Sequence, residues 1–353
     1  MSSLSPADAL YRDLPAALTV HPHQVDLLED RLLMLRLSEE TLRDASFLDQ
    51  RVLTRGADGA WFTWQQVAER MGNAATGTTA HYVFHIGHCG STLISRLLAE
   101  LGVTPLREPL PLRTLAEMLP DLGQPYSRWS RDTFETRLAL LCNLFDRGAG
   151  PRAVKATSFC NDLAPLILAG NQAVRATIVY ARPRAYIANM LAGSNSRLDL
   201  SSVAPLRLRR LDARTGGGLG CLHEMSPGIV AGMSWASEMS ALAATFDGSD
   251  GARVLAVDFD DFLRDVRGSL GRLARHIVPG TQDDRIAAAA ASPALTRYSK
   301  APEHVYDAGL RDSVLADAER RWSEDIRAGL AWCERAATRW PVVARALERF
   351  DAR

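Results

Sequence analysis

What this sequence lacks narrows the field before any motif is read. Its 353 residues hold five cysteines, Cys89, Cys142, Cys160, Cys221 and Cys333, spaced far apart and never as CxxC. Zinc ribbons and dithiol redox centres need close pairs, so neither is expected. An odd count without a secretory leader points to reduced thiols in a cytoplasmic protein. His81, His85 and His88 are near neighbours, but no second cluster completes a ligand set, so no metal is expected. No apolar run approaches the roughly 18 residues of a membrane span, and no membrane contact is expected. The opening MSSLSPADALYRDLP lacks the basic-then-apolar order of a signal peptide. Charge of one sign is also missing. With 41 basic against 41 acidic residues there is no basic excess to bind nucleic acid, and no nucleic-acid partner is expected. Internal repeats and low-complexity tracts are absent as well.

What is present is a chain 47% hydrophobic, enough for one large domain or a domain with an appendage. Residues 1–78 read as an N-terminal helical extension. Its first stretch of about 20 residues reads as a frayed arm. VDLLEDRLLMLRL, with leucines at mixed spacings of three and four, predicts helix within 22–55. Ser38 followed by Glu39, Glu40 and Thr41 reads as a helix start. GADGAWFTWQQVAERMG reads as a turn and a short helix.

From His81 the pattern changes to alternating strand and helix. YVFHI, AVKAT, RATIVYARP and ARVLAVDF read as strands, and STLISRLLAEL, NDLAPLILAG, RAYIANMLAG, 229–246 and LRDVRGSLGRLARHI as helices. This alternation predicts an α/β, three-layer fold over 79–353, with a mainly parallel central sheet and C-terminal helices. The tract RLRRLDARTGGGLGCLHEMSPG (207–228) reads as a long loop, either a lid over a site or a surface insertion.

HYVFHIGHCGSTLISRLLAEL (81–101) carries the chemistry. An apolar strand runs through a glycine-containing turn into a helix, gathering backbone N–H groups and a helix N-terminus at one spot that attracts phosphate or sulfate. Gly87 and Gly90 let the backbone curl, Ser91 and Thr92 add hydroxyls, and His88 adds a ring donor. An ATP-binding loop would read GxxxxGK[ST]. Here Ser91 follows Gly90 directly and the lysine is missing, so the triphosphate reading loses its cation.

GHCGSTLISRLL resembles the 5′-phosphosulfate loop of the PAPS-dependent sulfotransferase superfamily, where PAPS is 3′-phosphoadenosine 5′-phosphosulfate. That loop reads [PR]-[KR]-S-G-[TS]-T before an apolar helix. Gly90, Ser91 and Thr92 match, Cys89 falls on the serine, and His88 stands where the family has lysine or arginine. RATIVYARPRAYIANMLAG is similar to the family's 3′-phosphate site, a strand ending R-[DN]-P-[RK] with a serine eight residues after the arginine. Aligned on Pro183, the arginine position is Ala181, Arg182 sits one residue late, and the serine position is Asn189, with Ser194 and Ser196 near it. ARVLAVDFDDF resembles the family's late strand and turn, where Asp258, Asp260 and Asp261 read as structural caps. In RYSKAPEHVYDAG, Arg297 and Lys300 occupy the region of a late basic loop that closes on the 3′-phosphate.

The resemblance spans about residues 80–280 and implies sulfuryl transfer from PAPS to a small molecule, peptide or glycan, without a metal. It implies a donor site at Gly87, His88, Cys89, Gly90, Ser91, Thr92, Arg182, Asn189, Ser194 and Lys300. Glu108, in LGVTPLREPLPL, matches a catalytic acid that some branches carry in a Glu-Pro context, where it takes the acceptor's proton. A salt bridge from Glu108 to Arg107 or Arg113 is the structural alternative, and His85, His88 or His223 are the alternative bases. Lys155, at the end of AVK, lies where open parallel sheets bind ligands and is placed on the sulfonate or a substrate carboxylate. A Mg²⁺-dependent kinase using Thr92 and Asp258, or a non-catalytic nucleotide- or partner-binding remnant, stays open. Oligomeric state and acceptor identity are not legible.

Overall fold

Short apolar runs bounded by glycine, proline or a charge become the central sheet. The computed structural model describes residues 5–53, 57–72, 79–247, 250–297 and 307–351. Three antiparallel strands come first: β1 (Val20–Asp26), β2 (Arg31–Arg36) and β3 (Gly59–Thr63). They are followed by β4 (His81–His85), β5 (Thr104–Arg107), β6 (Arg152–Lys155), β7 (Ala176–Tyr180) and β8 (Val254–Asp258). These five form one parallel sheet in the order β5-β6-β4-β7-β8. The α/β reading of the sequence is therefore correct. All five residues of β7 are buried, as expected of an interior parallel strand covered on both faces. Val83, Phe84, Ile178 and Val179 are fully buried in the core, each worth about 1.5–3 kcal/mol relative to exposure.

Strand β5 was not anticipated. It is four residues long and contains Pro105, which its position at the sheet edge tolerates because the outer side needs no ladder N–H.

The N-terminal region departs most from expectation. The frayed arm is instead a helix, Pro6–Asp13, with Leu10 fully buried. The helical reading of 22–55 fails over its first part, which is a β-hairpin, β1 and β2, so the extension is a small sheet with short helices rather than a helical unit. The turn explains why. Asp26 Oδ1 accepts from the N–H groups of Leu28 (2.9 Å) and Glu29 (3.0 Å), and Asp30 takes a left-handed φ of 56°. The leucines fit alternation as well as they fit a helix, with Leu32 and Met34 buried and facing inward. Other readings hold. Ser38 Oγ caps the helix Glu39–Asp44 through Thr41 N (3.0 Å), and Trp64–Met71 is the short helix expected, though strand β3 and not a turn leads into it.

The expected loop over 207–228 is also corrected. Its basic half belongs to the helix Ser194–Thr215, and only the glycine-rich part is irregular, around a short 3₁₀ turn at Leu222–Glu224. Arg207 and Arg210 are buried there because Glu238, itself buried, faces both. Among the described residues no helix is long and apolar enough to cross a membrane.

Candidate active site

The loop between β4 and the helix Ser91–Glu100 is wound by three left-handed residues, Gly87 (φ 77°), His88 (φ 51°) and Gly90 (φ 72°). Successive backbone turns of this hand make a concavity lined by N–H groups. Gly90 has no substitute: a Cβ there would sit 2.0 Å from the Phe259 ring. Two side chains fasten the loop. The Gly87 N–H donates to His85 Nδ1 (2.9 Å), and Asn189 Nδ2 donates to the His88 carbonyl (2.9 Å).

The loop opens into a cavity of about 270 Å³ at the C-terminal edge of the sheet. His88, Gly90, Ser91 and Thr92 line one wall. His85, Glu108 and Lys155 line another, from the ends of β4, β5 and β6. Leu93, Phe259, Leu263 and Leu295 supply apolar surface, and Arg297 and Arg311 supply charge. Thr92 is 3% exposed and its Oγ1 has no hydrogen-bond partner among the described residues. A buried hydroxyl left unmatched costs about 1–3 kcal/mol, so a polar ligand at this spot recovers a real deficit. Hydroxyls, the helix start and the curled backbone fit an anionic phosphate or sulfate group.

Glu108 is brought to the cavity by a left-handed φ of 53°, with its N–H donating to the Lys155 carbonyl (2.7 Å). Its carboxylate pairs with the Lys155 ammonium, which is 1% exposed. His85 Nε2 lies 3.9 Å from the same carboxylate. Because Nδ1 of His85 accepts from Gly87, the ring proton of the neutral form is on Nε2, facing Glu108. The alternative of a salt bridge to Arg107 or Arg113 does not occur. Arg107 is buried on Ser95 and two carbonyls, and Arg113 pairs with Glu117 (2.8 Å). His88 Nε2 stands 3.5 Å from Asp199 Oδ2, with Arg207 3.8 Å from the same oxygen.

Several expected donor residues are elsewhere. Cys89 is not in the lining. Its thiol donates to the Val179 carbonyl (3.2 Å), and burial pushes it up to about 11, so it is no nucleophile. Arg182 is not in the lining. Its guanidinium donates to Asp261 (2.9 Å) and lies 3.6 Å from Asp258. Asn189 lines the cavity, but its amide serves the loop. Ser194 starts its helix outside the lining, whereas Asn195 and Ser196 are inside it. His223 is on an exposed turn, its side chain 81% accessible. Lys300 falls outside the described residues. Asp258 is a helix cap, as read, with Oδ1 accepting from Asp261 N (2.9 Å).

Asp199, Phe259 and Arg311 escaped the sequence reading. Arg311 is 2% exposed and donates to Asp260 (2.8 Å) from a helix 51 residues further on. The only trace of it in the sequence is the acidic excess of DFDDF, which needs cations from somewhere.

No family model matches the chain. No curated protein matches it either. Among solved structures, it is similar to the sulfotransferase domain from the curacin biosynthetic pathway, at 16% identity and a TM-score of 0.38 over 70% of this chain and 98% of that one. A sulfotransferase domain from the olefin synthase of Synechococcus PCC 7002 gives 15% identity and 0.38 over 78% and 94%. Sulfotransferase STF9 from Mycobacterium avium gives 12% and 0.35 over 69% and 76%.

Proposed function

We propose that this protein moves a sulfuryl group from PAPS to a hydroxyl or amine of a small-molecule, peptide or glycan acceptor. The observation that carries this reading is one cavity holding both a lysine-free anion cradle and a buried ammonium paired with a half-buried carboxylate.

The cradle N–H groups, Ser91 and Thr92 hold the donor's 5′-phosphosulfate, and His88 lines the same wall. Glu108 takes the acceptor's proton while the acceptor oxygen or nitrogen forms its bond to sulfur. The bond from sulfur to the bridging phosphate oxygen breaks, and its electron pair leaves on that oxygen, where the helix start and hydroxyls stabilise the charge. Lys155 turns from Glu108 to the sulfuryl oxygens, which frees the carboxylate to act as base. Its identity supports this. Only two of the 41 basic residues are lysine, and the one among the described residues is at this site. A compact ammonium can exchange partners where the broad arginine fork cannot. Arg297, on the cavity wall, supplies a cation for the remaining phosphate, while Arg311 is held by Asp260.

The test is release of adenosine 3′,5′-bisphosphate from PAPS, followed chromatographically with mixed hydroxyl and amine acceptors and no added metal. Glu108→Gln is expected to slow release by about a hundredfold or more while retaining bisphosphate binding. Phosphoryl transfer from ATP dependent on Mg²⁺, with no turnover of PAPS, would favour a kinase. Bisphosphate binding with no transfer to any acceptor would favour a non-catalytic remnant.

A further inference from the structure

Residues 43–48, from the N-terminal region, reach the candidate site at several points that the proposed reaction does not use. Leu48 brackets Glu108. Its N–H donates to the Arg107 carbonyl (2.7 Å), and its own carbonyl accepts from the Leu110 N–H (3.3 Å). The Arg107 guanidinium, 1% exposed, donates to the carbonyls of Arg43 (2.6 Å) and Ala45 (2.9 Å). Arg96, on the helix that follows the cradle, donates to Ser46 Oγ (3.1 Å). The Phe47 ring centroid lies 5.9 Å from Lys155 Nζ and 3.5 Å from the Arg51 guanidinium.

These contacts meet a need. A left-handed backbone at a non-glycine residue costs about 1–2 kcal/mol and persists only where its surroundings over-determine it. Glu108 is such a residue, and it ends an edge strand whose inner side is paired with β6. The outer side has Leu48. An ammonium near an aromatic face is favoured by the ring's quadrupole.

We infer that residues 43–48 are a positioning element of the catalytic pair: the Leu48 backbone clip holds Glu108 in its left-handed conformation, and Phe47 covers Lys155. The N-terminal region is then part of the active site and not an appendage. This inference rests on reading Glu108 and Lys155 as the reacting pair.

The chain's two lysines allow a direct test. Full-length protein is treated with an acetyl N-hydroxysuccinimide ester over a pH series, and Lys155 acetylation is followed by peptide mass spectrometry. In Phe47→Ala, Lys155 is expected to react about tenfold faster, with its pH profile displaced to lower pH because the ring no longer favours the ammonium. Phe47→Leu keeps an apolar cover without the π face and folds even where alanine does not, and about a threefold rise is expected. Leu28→Ala, at a 79% exposed turn position, leaves the rate unchanged. Rates and pH profiles within twofold of wild type in both Phe47 variants, at retained thermal stability, overturn the inference. No donor is used, so this outcome is separate from whether PAPS binds.

Discussion

Two neighbouring turns look alike in sequence and differ in kind. Strands β4 and β7 lie side by side, and each runs through a short turn into a helix carrying anion-binding residue types. After β4 the backbone curls left-handed, opens on a cavity and presents Thr92 without a partner. After β7 the turn at Ala181 and Arg182 lies outside that cavity. Arg182 is shared between Asp258 and Asp261, and Trp235 Nε1 donates to the Ala181 carbonyl (3.0 Å). An arginine already neutralised by two carboxylates is a structural clamp, whatever motif surrounds it. What decides is a residue 79 positions downstream, which no local pattern contains.

The largest effect is expected at Gly90. Gly90→Ala adds a Cβ against Phe259 in a backbone region hostile to side chains. Urea titration is expected to show a loss of several kcal/mol, and calorimetry no detectable bisphosphate binding. Wild-type affinity in this variant would mean that the first turn is no more a site than the second.

Acid should strike away from both turns. His21 in β1 is fully buried, and burial, reinforced by Arg147, pushes its pKa down to about 3. His81, at the N-terminal end of β4, is pushed down to about 4 by burial and by Arg175. Both stay neutral in the folded state while the unfolded chain takes up protons near the ordinary value of 6.5. Their contribution is complete above about 6.5 and is lost as pH falls toward 4. Asp146 acts in the opposite sense, since burial lifts its carboxyl to about 6 and favours the folded state as pH falls below that value. The net loss between pH 7.5 and 5 is expected to be about 2 kcal/mol by urea titration. It should be the same in Thr92→Val; a different slope there would tie the first turn to the acid response.

Thr92→Val sharpens the contrast. Replacing an unmatched buried hydroxyl by a methyl should leave stability unchanged or raise it by up to about 1 kcal/mol, while bisphosphate affinity falls about tenfold. Arg182→Ala should do the reverse. Stability falls by about 1 kcal/mol because Asp258 loses its cation, and affinity changes by less than about threefold. An affinity loss in Arg182→Ala equal to that in Thr92→Val would erase the difference between the turns.

The strand–turn–helix at 81–101 was legible because its signals are local: β-rich residues, two glycines at turn positions and hydroxyls at the helix start. The parallel sheet followed from alternation. The N-terminal hairpin did not, because the leucines of LLEDRLLMLRL fit a period of two as well as 3.6, and the turn depends on Asp26 folding back on its own backbone. Glu108 and Lys155 were found singly, from a Glu-Pro context and a strand end. Their pairing depends on β5 lying beside β6, which four residues with a proline do not announce. The pairing of Arg182 was not legible because its partners come from the turn after another strand.

The central claim is that the cradle after β4 holds the donor's phosphates. It is tested most directly by calorimetric titration of adenosine 3′,5′-bisphosphate into the full chain without metal, in wild type, Thr92→Val and Arg182→Ala. The account predicts binding in wild type, weakening in Thr92→Val and near-wild-type binding in Arg182→Ala. Absence of binding in wild type, or binding of ATP alone and only with Mg²⁺, would contradict it.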